Sequence, residues 1–319
     1  MLTQLTASTT LPVIGSPMFI VSGPELVIAQ CQAGIIGAFP ALNARPAEVL
    51  REWLQQITNT LADYNARHPQ QPAAPFAVNQ IVHPTNDRLD HDVALCAEFK
   101  VPLIITSLHA PNRVVEQVHA YGGLVFHDVT TLRHAKKAID AGVDGLILVC
   151  QGAGGHAGRL NPFAFVAEVR QFYDGPLVLA GAITKGEQIA AAQALGADMV
   201  YMGTRFIATQ EANAQTAYKQ MVLEAAAGDI VYTNLFTGVH GNYLRQSIEL
   251  AGLDPEALPE GDKSAMRYGS GGSSKAKAWR DIWGAGQGVG GITTLNSVAD
   301  EVATLRADYQ KSLDQLRRR

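Results

Sequence analysis

The chain is poor in charge and poorer in cysteine. Charged residues make up 17% of the 319 positions and the formal net charge is -4, so the basic stripe that a nucleic-acid binder needs cannot be assembled. The closing "LRRR" reads as a solvated helix terminus. Cys31, Cys96 and Cys150 are widely spaced and form no C-x-x-C pair, which argues against a disulfide framework and against the common zinc arrangements. Long hydrophobic runs are also missing, and no stretch approaches the roughly eighteen apolar residues of a membrane span. The opening "MLTQLTASTTLPVIG" holds no Lys or Arg and no apolar core, so a secretory signal is not expected. What the chain does have is a 47% hydrophobic content, the mark of a folded, core-rich protein. The expectation is a reduced, soluble, cytoplasmic protein with neither nucleic acid nor membrane as a partner.

Short apolar runs alternate with helical patterns from residue 11 to about 226. The strand candidates are "LPVIGSPM", "IIGAF", "PFAVNQ", "VPLIIT", "GGLVFHDV", "DGLILVC", "GPLVLAG" and "ADMVYMG". Their near-continuous apolar character suits parallel strands buried on both faces. Eight regular β/α units predict a (β/α)8 TIM barrel over a doubly wound sheet. "AIDAGVDGLILV" and "AQALGADMVYM" repeat one order of helix, glycine cap, Asp and strand. After residue 226 the chain turns irregular and glycine-rich, with short helices expected around 243–252 and 296–316. The expected organisation is a barrel core over 1–226 and an appended lid or subdomain with a terminal helix over 227–319.

Residues 150–162, "CQGAGGHAGRLNP", set one histidine among four glycines. "GAGGHA" matches the dinucleotide pattern G-x-G-x-x-A by letters. The next helix, however, starts near Asn161-Pro162, too late to aim its N-terminus at a pyrophosphate. Five β/α units precede the stretch, whereas that fingerprint opens its domain. "GQGVGG" (286–291) matches as well but follows no convincing strand.

In a TIM barrel, ligands sit at the carboxyl ends of the strands, and phosphate is often held by the loops after the seventh and eighth. Those strands end in "LAGAITKGEQ" and "YMGTRFIATQE". Gly181 and Gly203 present bare backbone there, and Thr204 adds a hydroxyl. Other strand ends carry Ser16-Pro17-Met18, Asn79-Gln80, Thr106, His127-Asp128 and Gln151. Such a ring suits a flavin, whose pyrimidine edge is read by amides and whose plane packs on an apolar residue such as Met18.

"GSPM", "FAVNQ", "AGGHAG", "LAGAI" and "YMGTRFIAT", in that order at successive strand ends, together resemble the nitronate monooxygenase family, formerly called 2-nitropropane dioxygenases. That family shares an FMN-binding barrel with flavin-type enoyl-acyl-carrier-protein reductases and some NAD(P)H:quinone reductases. The resemblance covers about residues 11–211, with a weaker match at "WGAGQGVGGI". It implies that His156 is the catalytic residue and FMN the cofactor. The implied cofactor contacts are Pro17, Met18, Asn79, Gln151, Gly155, Ala180, Gly181, Ala182, Met202, Gly203, Thr204 and Gln287. No metal is implied. The implied reaction oxidises alkyl nitronates with dioxygen to a carbonyl compound and nitrite, and a homodimer is compatible with it. The alternative is an NAD(P)H-dependent FMN reductase acting on quinones or enoyl thioesters. A non-enzymatic flavin-binding protein has little support.

Two departures stand out. The common family form Q-G-x-E-A-G-G-H is two residues longer than Gln151–His156 and carries an acidic member absent here. Some relatives place a lysine after the fifth strand, where this chain has His127-Asp128. Cys150 reads as core, and His83, His91, His109, His119 and His134 as surface or capping residues. His240, Lys275 and Lys277 are candidates to line a lid.

Overall fold

The computed structural model describes residues 2–262 and 281–318. Eight parallel strands form one sheet: β1 (Val13–Gly15), β2 (Gly37–Pro40), β3 (Phe76–Val82), β4 (Leu103–Leu108), β5 (Leu124–Val129), β6 (Gly145–Val149), β8 (Leu177–Ala180) and β9 (Met199–Met202). The two-residue β7 (Gly155–His156) stands outside it. Strand neighbours follow chain order, and β1 pairs with β9 on one side. An Ile14–Ile36 bridge beside β2 closes the other side. With helices between the strands, this is the expected (β/α)8 barrel.

The period-two alternation of the strands sorts their side chains into two layers. Ile14, Ala77, Leu103, Phe126, Ile147 and Val178 fill the barrel interior, with Leu5 of the helix Leu2–Thr6 added to the same cluster. Ile104, Val125, Leu146 and Leu148 face the helices instead. Interior sizes are matched across neighbours. A Cβ on Gly145 would lie 2.6 Å from the ring of Phe126, so that glycine makes room for the largest interior side chain nearby.

The helix after β6 and β7 is Pro162–Val169, with Asn161 as N-cap accepting from the Phe163 N–H at 2.9 Å. It begins where the sequence indicates, past the glycines, and it is not a pyrophosphate helix on His156. After β9 the chain makes a long excursion before the helix Val298–Arg317 returns to the barrel. That helix packs between the helices Pro24–Gln32 and Gly186–Leu195, at the seam where β1 meets β9. A Cβ on Gly186 would sit 2.3 Å from Leu305 O, and the Tyr309 hydroxyl donates to Gln193 Oε1 at 2.5 Å. A buried Arg205–Glu301 ion pair fixes the helix to the end of β9. The last helix therefore fills the eighth place of the outer layer.

Part of the excursion forms a second sheet. β10 (Ile230–Thr233) and β11 (Gly241–Leu244) are antiparallel, and β11 also pairs with β7. The short helix expected from 243 starts at Arg245 and runs to Leu250, because β11 claims the residues through Leu244. Among the described residues, no helix is long and apolar enough to cross a membrane.

Candidate active site

The carboxyl ends of the strands open into a cavity of about 650 Å³, within the usual range for cofactor and small-molecule sites. One side is the turn after β8. Gly181 has φ +136° and Ala182 φ +55°, and the second is a conformation that side-chain-bearing residues seldom adopt outside functional sites. Opposite, Gly203 opens onto Ser16 and Met18: a Cβ there would meet Ser16 Cβ at 3.3 Å and Met18 Sδ at 3.4 Å. The β1 loop is pinned by Asn43, whose Nδ2 donates to Met18 O (3.0 Å) and Ser22 O (2.9 Å). A left-handed turn, a bare strand end and a cavity with both polar and apolar walls fit a phosphate-bearing planar cofactor.

The floor of the cavity is the top polar layer of the barrel. Asn79 Nδ2 donates to Ile105 O (3.2 Å) and to Ser107 Oγ (2.8 Å). Ser107 in turn donates to Asp128 Oδ2 at 2.6 Å. Burial pushes the Asp128 carboxyl up to about 7, against the smaller opposing effect of that hydrogen bond. Tyr201 projects into the same layer, and desolvation holds its phenol well above the usual range. His127, one residue before Asp128, faces the other way. It meets Thr106 Oγ1 at 2.8 Å, and burial pushes it down to about 4.

The roof is the stretch 152–157, stitched down on both sides. β11 pairs with it in the register Gly241–His156 and Asn242–Gly155, and Asn242 Nδ2 donates to Ala153 O at 2.6 Å. Residues 284–288 close the other side: the Gln287 N–H donates to Gly152 O (2.9 Å) and the Gly286 N–H to Thr204 Oγ1 (2.9 Å). The glycines make this stitching sterically feasible. A Cβ on Gly154 would lie 2.8 Å from Gly286 N, and one on Gly241 would lie 2.7 Å from Gly155 O. Only at Gly155 is there open space around the absent side chain.

His156 hangs from this roof into the cavity. Its Nε2 lies 3.2 Å from Thr237 Oγ1. The Thr237 hydroxyl donates to Val239 O at 2.8 Å, so Nε2 is the donor of the pair, which assigns the neutral tautomer. Burial pushes the imidazole down to about 4.

Of the residues expected at the site, Pro17, Met18, Asn79, Gly155, His156, Ala180, Gly181, Ala182, Gly203 and Thr204 line the cavity. Three do not. Met202 is turned into the core between sheet and helices. Gln151 is exposed, with its N–H donating to Leu160 O. Gln287 is exposed too and contributes its backbone to the roof, while Gly286 and Gly288 beside it reach the cavity. His240 stacks on Tyr232 (4.9 Å between ring centres) away from the lining, and Lys275 and Lys277 lie outside the described residues. Cys150 is core as read. His134 is exposed as expected, and it also lines the cavity. Sequence reasoning did not single out Ser107, Tyr201, Thr237 or Arg45, all of which line the cavity. Period-two alternation marks Ser107 and Tyr201 as inward-facing; no local signal marks Thr237.

The model of the nitronate monooxygenase family matches residues 2–308. The chain belongs to that family. It is 27% identical to a nitronate monooxygenase of Paraburkholderia phytofirmans, with 96% of this chain and 94% of the relative covered. Among solved structures it is similar to FabK of Thermotoga maritima, at 26% identity and a TM-score of 0.77, covering 99% of this chain and 97% of the other. A nitroalkane oxidase of Streptomyces ansochromogenes shares the fold at 24% identity and a TM-score of 0.81, with 99% of both chains covered. As a member of this family the protein is an enzyme, an oxidoreductase.

Proposed function

We propose that the protein is an FMN-dependent nitronate monooxygenase that oxidises alkyl nitronates with dioxygen, yielding a carbonyl compound and nitrite. The observation that carries this reading is His156, suspended in the cavity by Thr237 across from the Gly181-Ala182 turn. FMN, when bound, supplies the passage of electrons from nitronate to dioxygen. The backbones at Gly181-Ala182 and Gly203 would hold its phosphate, and Met18 would pack on its ring. Asn79 has committed its amide nitrogen within the floor, so it offers a ligand its carbonyl oxygen as an acceptor. His156 is neutral, and toward a neutral nitroalkane it can take the α-proton whose loss gives the nitronate. The roof built from residues 152–157, 241–242 and 284–288 would keep water from the reacting atoms, and residues 241–242 and 284–288 are what the segment after residue 226 would contribute to a lid.

The test begins with colour. The purified protein should be yellow and release FMN on denaturation. Propyl nitronate should bleach it without oxygen, and nitrite should form in air. His156→Asn should lower turnover of the neutral nitroalkane by about a hundredfold or more, the scale of a positioned acid-base group. A colourless protein that FMN cannot reconstitute, or rapid bleaching by NADPH alone, would overturn the reading.

A further inference from the structure

The floor of the cavity holds a carboxyl group for which neither the phosphate turn nor His156 gives a use. Asn79 Nδ2 donates to Ser107 Oγ, and Ser107 Oγ donates to Asp128 Oδ2. Ser107 Oγ accepts from Asn79 and gives its single proton to Oδ2. In that arrangement Oδ2 is an acceptor, and a proton on this carboxyl sits on Oδ1. Oδ1 is buried and has no hydrogen-bond partner among the described residues, although Asp128 lines the cavity.

The groups around it do not neutralise a charge there. From β9, Tyr201 presents a hydroxyl beside Ser16, and desolvation keeps it protonated. His156 above is neutral, and burial also pushes His134 on the cavity wall down. Arg45 lies elsewhere on the lining, with its Nε donating to Leu42 O. His127 faces out of the barrel. None of the ion pairs among the described residues includes Asp128. An ionised Asp128 would therefore be a buried, uncompensated charge, whereas the neutral acid is a hydrogen-bond donor waiting for an acceptor.

We propose that Asp128 sets the charge state of ligand that the site accepts: protonated, it donates from Oδ1 to a planar anionic head such as a nitronate or a carboxylate, and ionised, it excludes that head. The identity of the physiological anion rests on the nitronate reading; the behaviour of Asp128 does not. Binding of an anion is then coupled to retention or uptake of one proton, and affinity falls as the carboxyl ionises.

Butyrate is a suitable probe of the protein as purified. It has the chain length and planar head of propyl nitronate, is not oxidised in this way, and stays ionised above about pH 6. Calorimetry in buffers of different ionisation enthalpy reads both Kd and proton uptake. For the unmodified protein, Kd should be flat near pH 6 and rise about tenfold per pH unit above about 7, with uptake approaching one proton. Asp128→Asn, whose amide can both accept from Ser107 and donate to the ligand, should bind with the low-pH affinity at every pH. Ser107→Ala removes a donor that favours the ionised carboxylate. It should move the limb about one unit higher, since such a bond contributes about 1.5 kcal/mol, and it keeps the test decisive if the Asn variant does not fold. The proposal is overturned by an identical limb in Asp128→Asn, by an unmoved limb in Ser107→Ala, by absence of proton uptake, or by no butyrate binding at any pH. If the limb appears but propyl nitronate fails to bleach the protein, the nitronate reading falls and Asp128 keeps its role. Bleaching without the limb has the reverse meaning.

Discussion

Gly241→Ala tests whether the glycines of the roof exist to let two backbones meet. The added methyl group would lie 2.7 Å from Gly155 O and 3.0 Å from Gly155 C. Both are backbone atoms, so no side chain can swing away to relieve the contact. The pairing of β11 with β7 must open instead, costing about 2 kcal/mol on the scale of overpacked sites. With an unfolding entropy of about 2.1 cal/mol/K per residue, a chain of 319 residues would lose about 3 °C in Tm if the strain spread globally. If it stays local, the Ala157 N–H, which donates to His240 O at 3.1 Å, should exchange about thirtyfold faster. Thermal unfolding and amide exchange separate the two cases. Gly228→Ala is the control: its Cβ would meet nothing within 4 Å, so its Tm should hold or rise slightly. A Gly241→Ala protein with unchanged Tm and unchanged exchange at Ala157 would refute the close-approach argument.

Thr237→Val removes the acceptor of His156 Nε2 while keeping the side-chain shape. Losing about 1 kcal/mol of orientation should lower kcat/KM by about fivefold, and loss of the Thr237–Val239 hydrogen bonds should lower Tm by about 2 °C, measured in parallel on both proteins. Glu301→Ala leaves Arg205 buried without its carboxylate and removes one of the two acceptors of Asn296 Nδ2, now 2.8 Å from Glu301 Oε1. Urea unfolding should register a loss of about 3–5 kcal/mol. Stability against pH should show two opposed trends. His127 and His156, neutral in the fold down to about 4, take up protons more readily when unfolded, so stability is lost as pH falls from about 6.5 toward 4. Asp128 keeps its proton to about 7 in the fold but only to about 3.9 unfolded, so its effect runs the other way and erodes stability as pH rises through that window. Asp128→Asn should therefore gain on the unmodified protein between about pH 4 and 7, by a few kcal/mol at most. Parallel curves for the two would contradict the burial argument.

The alternation of apolar runs with helical periods is a local property of the chain, and it was enough to count the eight β/α units. It also placed the loops that line the cavity. Pro17, Met18, Asn79, Gly181, Gly203 and His156 were legible because a barrel gathers its strand ends at one face whatever the side chains are. The motif led to Met202 and Gln287 as well, but a motif names residues without saying which way they point. Met202 sits on the strand face turned to the helices, and Gln287 offers its backbone. His127 and Asp128 stood together in the sequence, and only the inward or outward phase of β5 gives one to the cavity and the other to the core.

Length, apolar content, unit count and the order of the strand-end motifs were thus determined by the sequence alone, because each depends on neighbours a few residues apart. The tertiary structure alone decided what Gly154 and the glycines that meet the loop, Gly241 and Gly286, are for. They allow 241–242 and 284–288 to lie against the loop at distances that a single methyl group would forbid. It alone supplied Thr237, 81 positions from His156, and the last helix that fills the barrel seam. No periodicity encodes such long-range meetings; they follow from which backbones can approach and which polar groups would otherwise be buried without a partner.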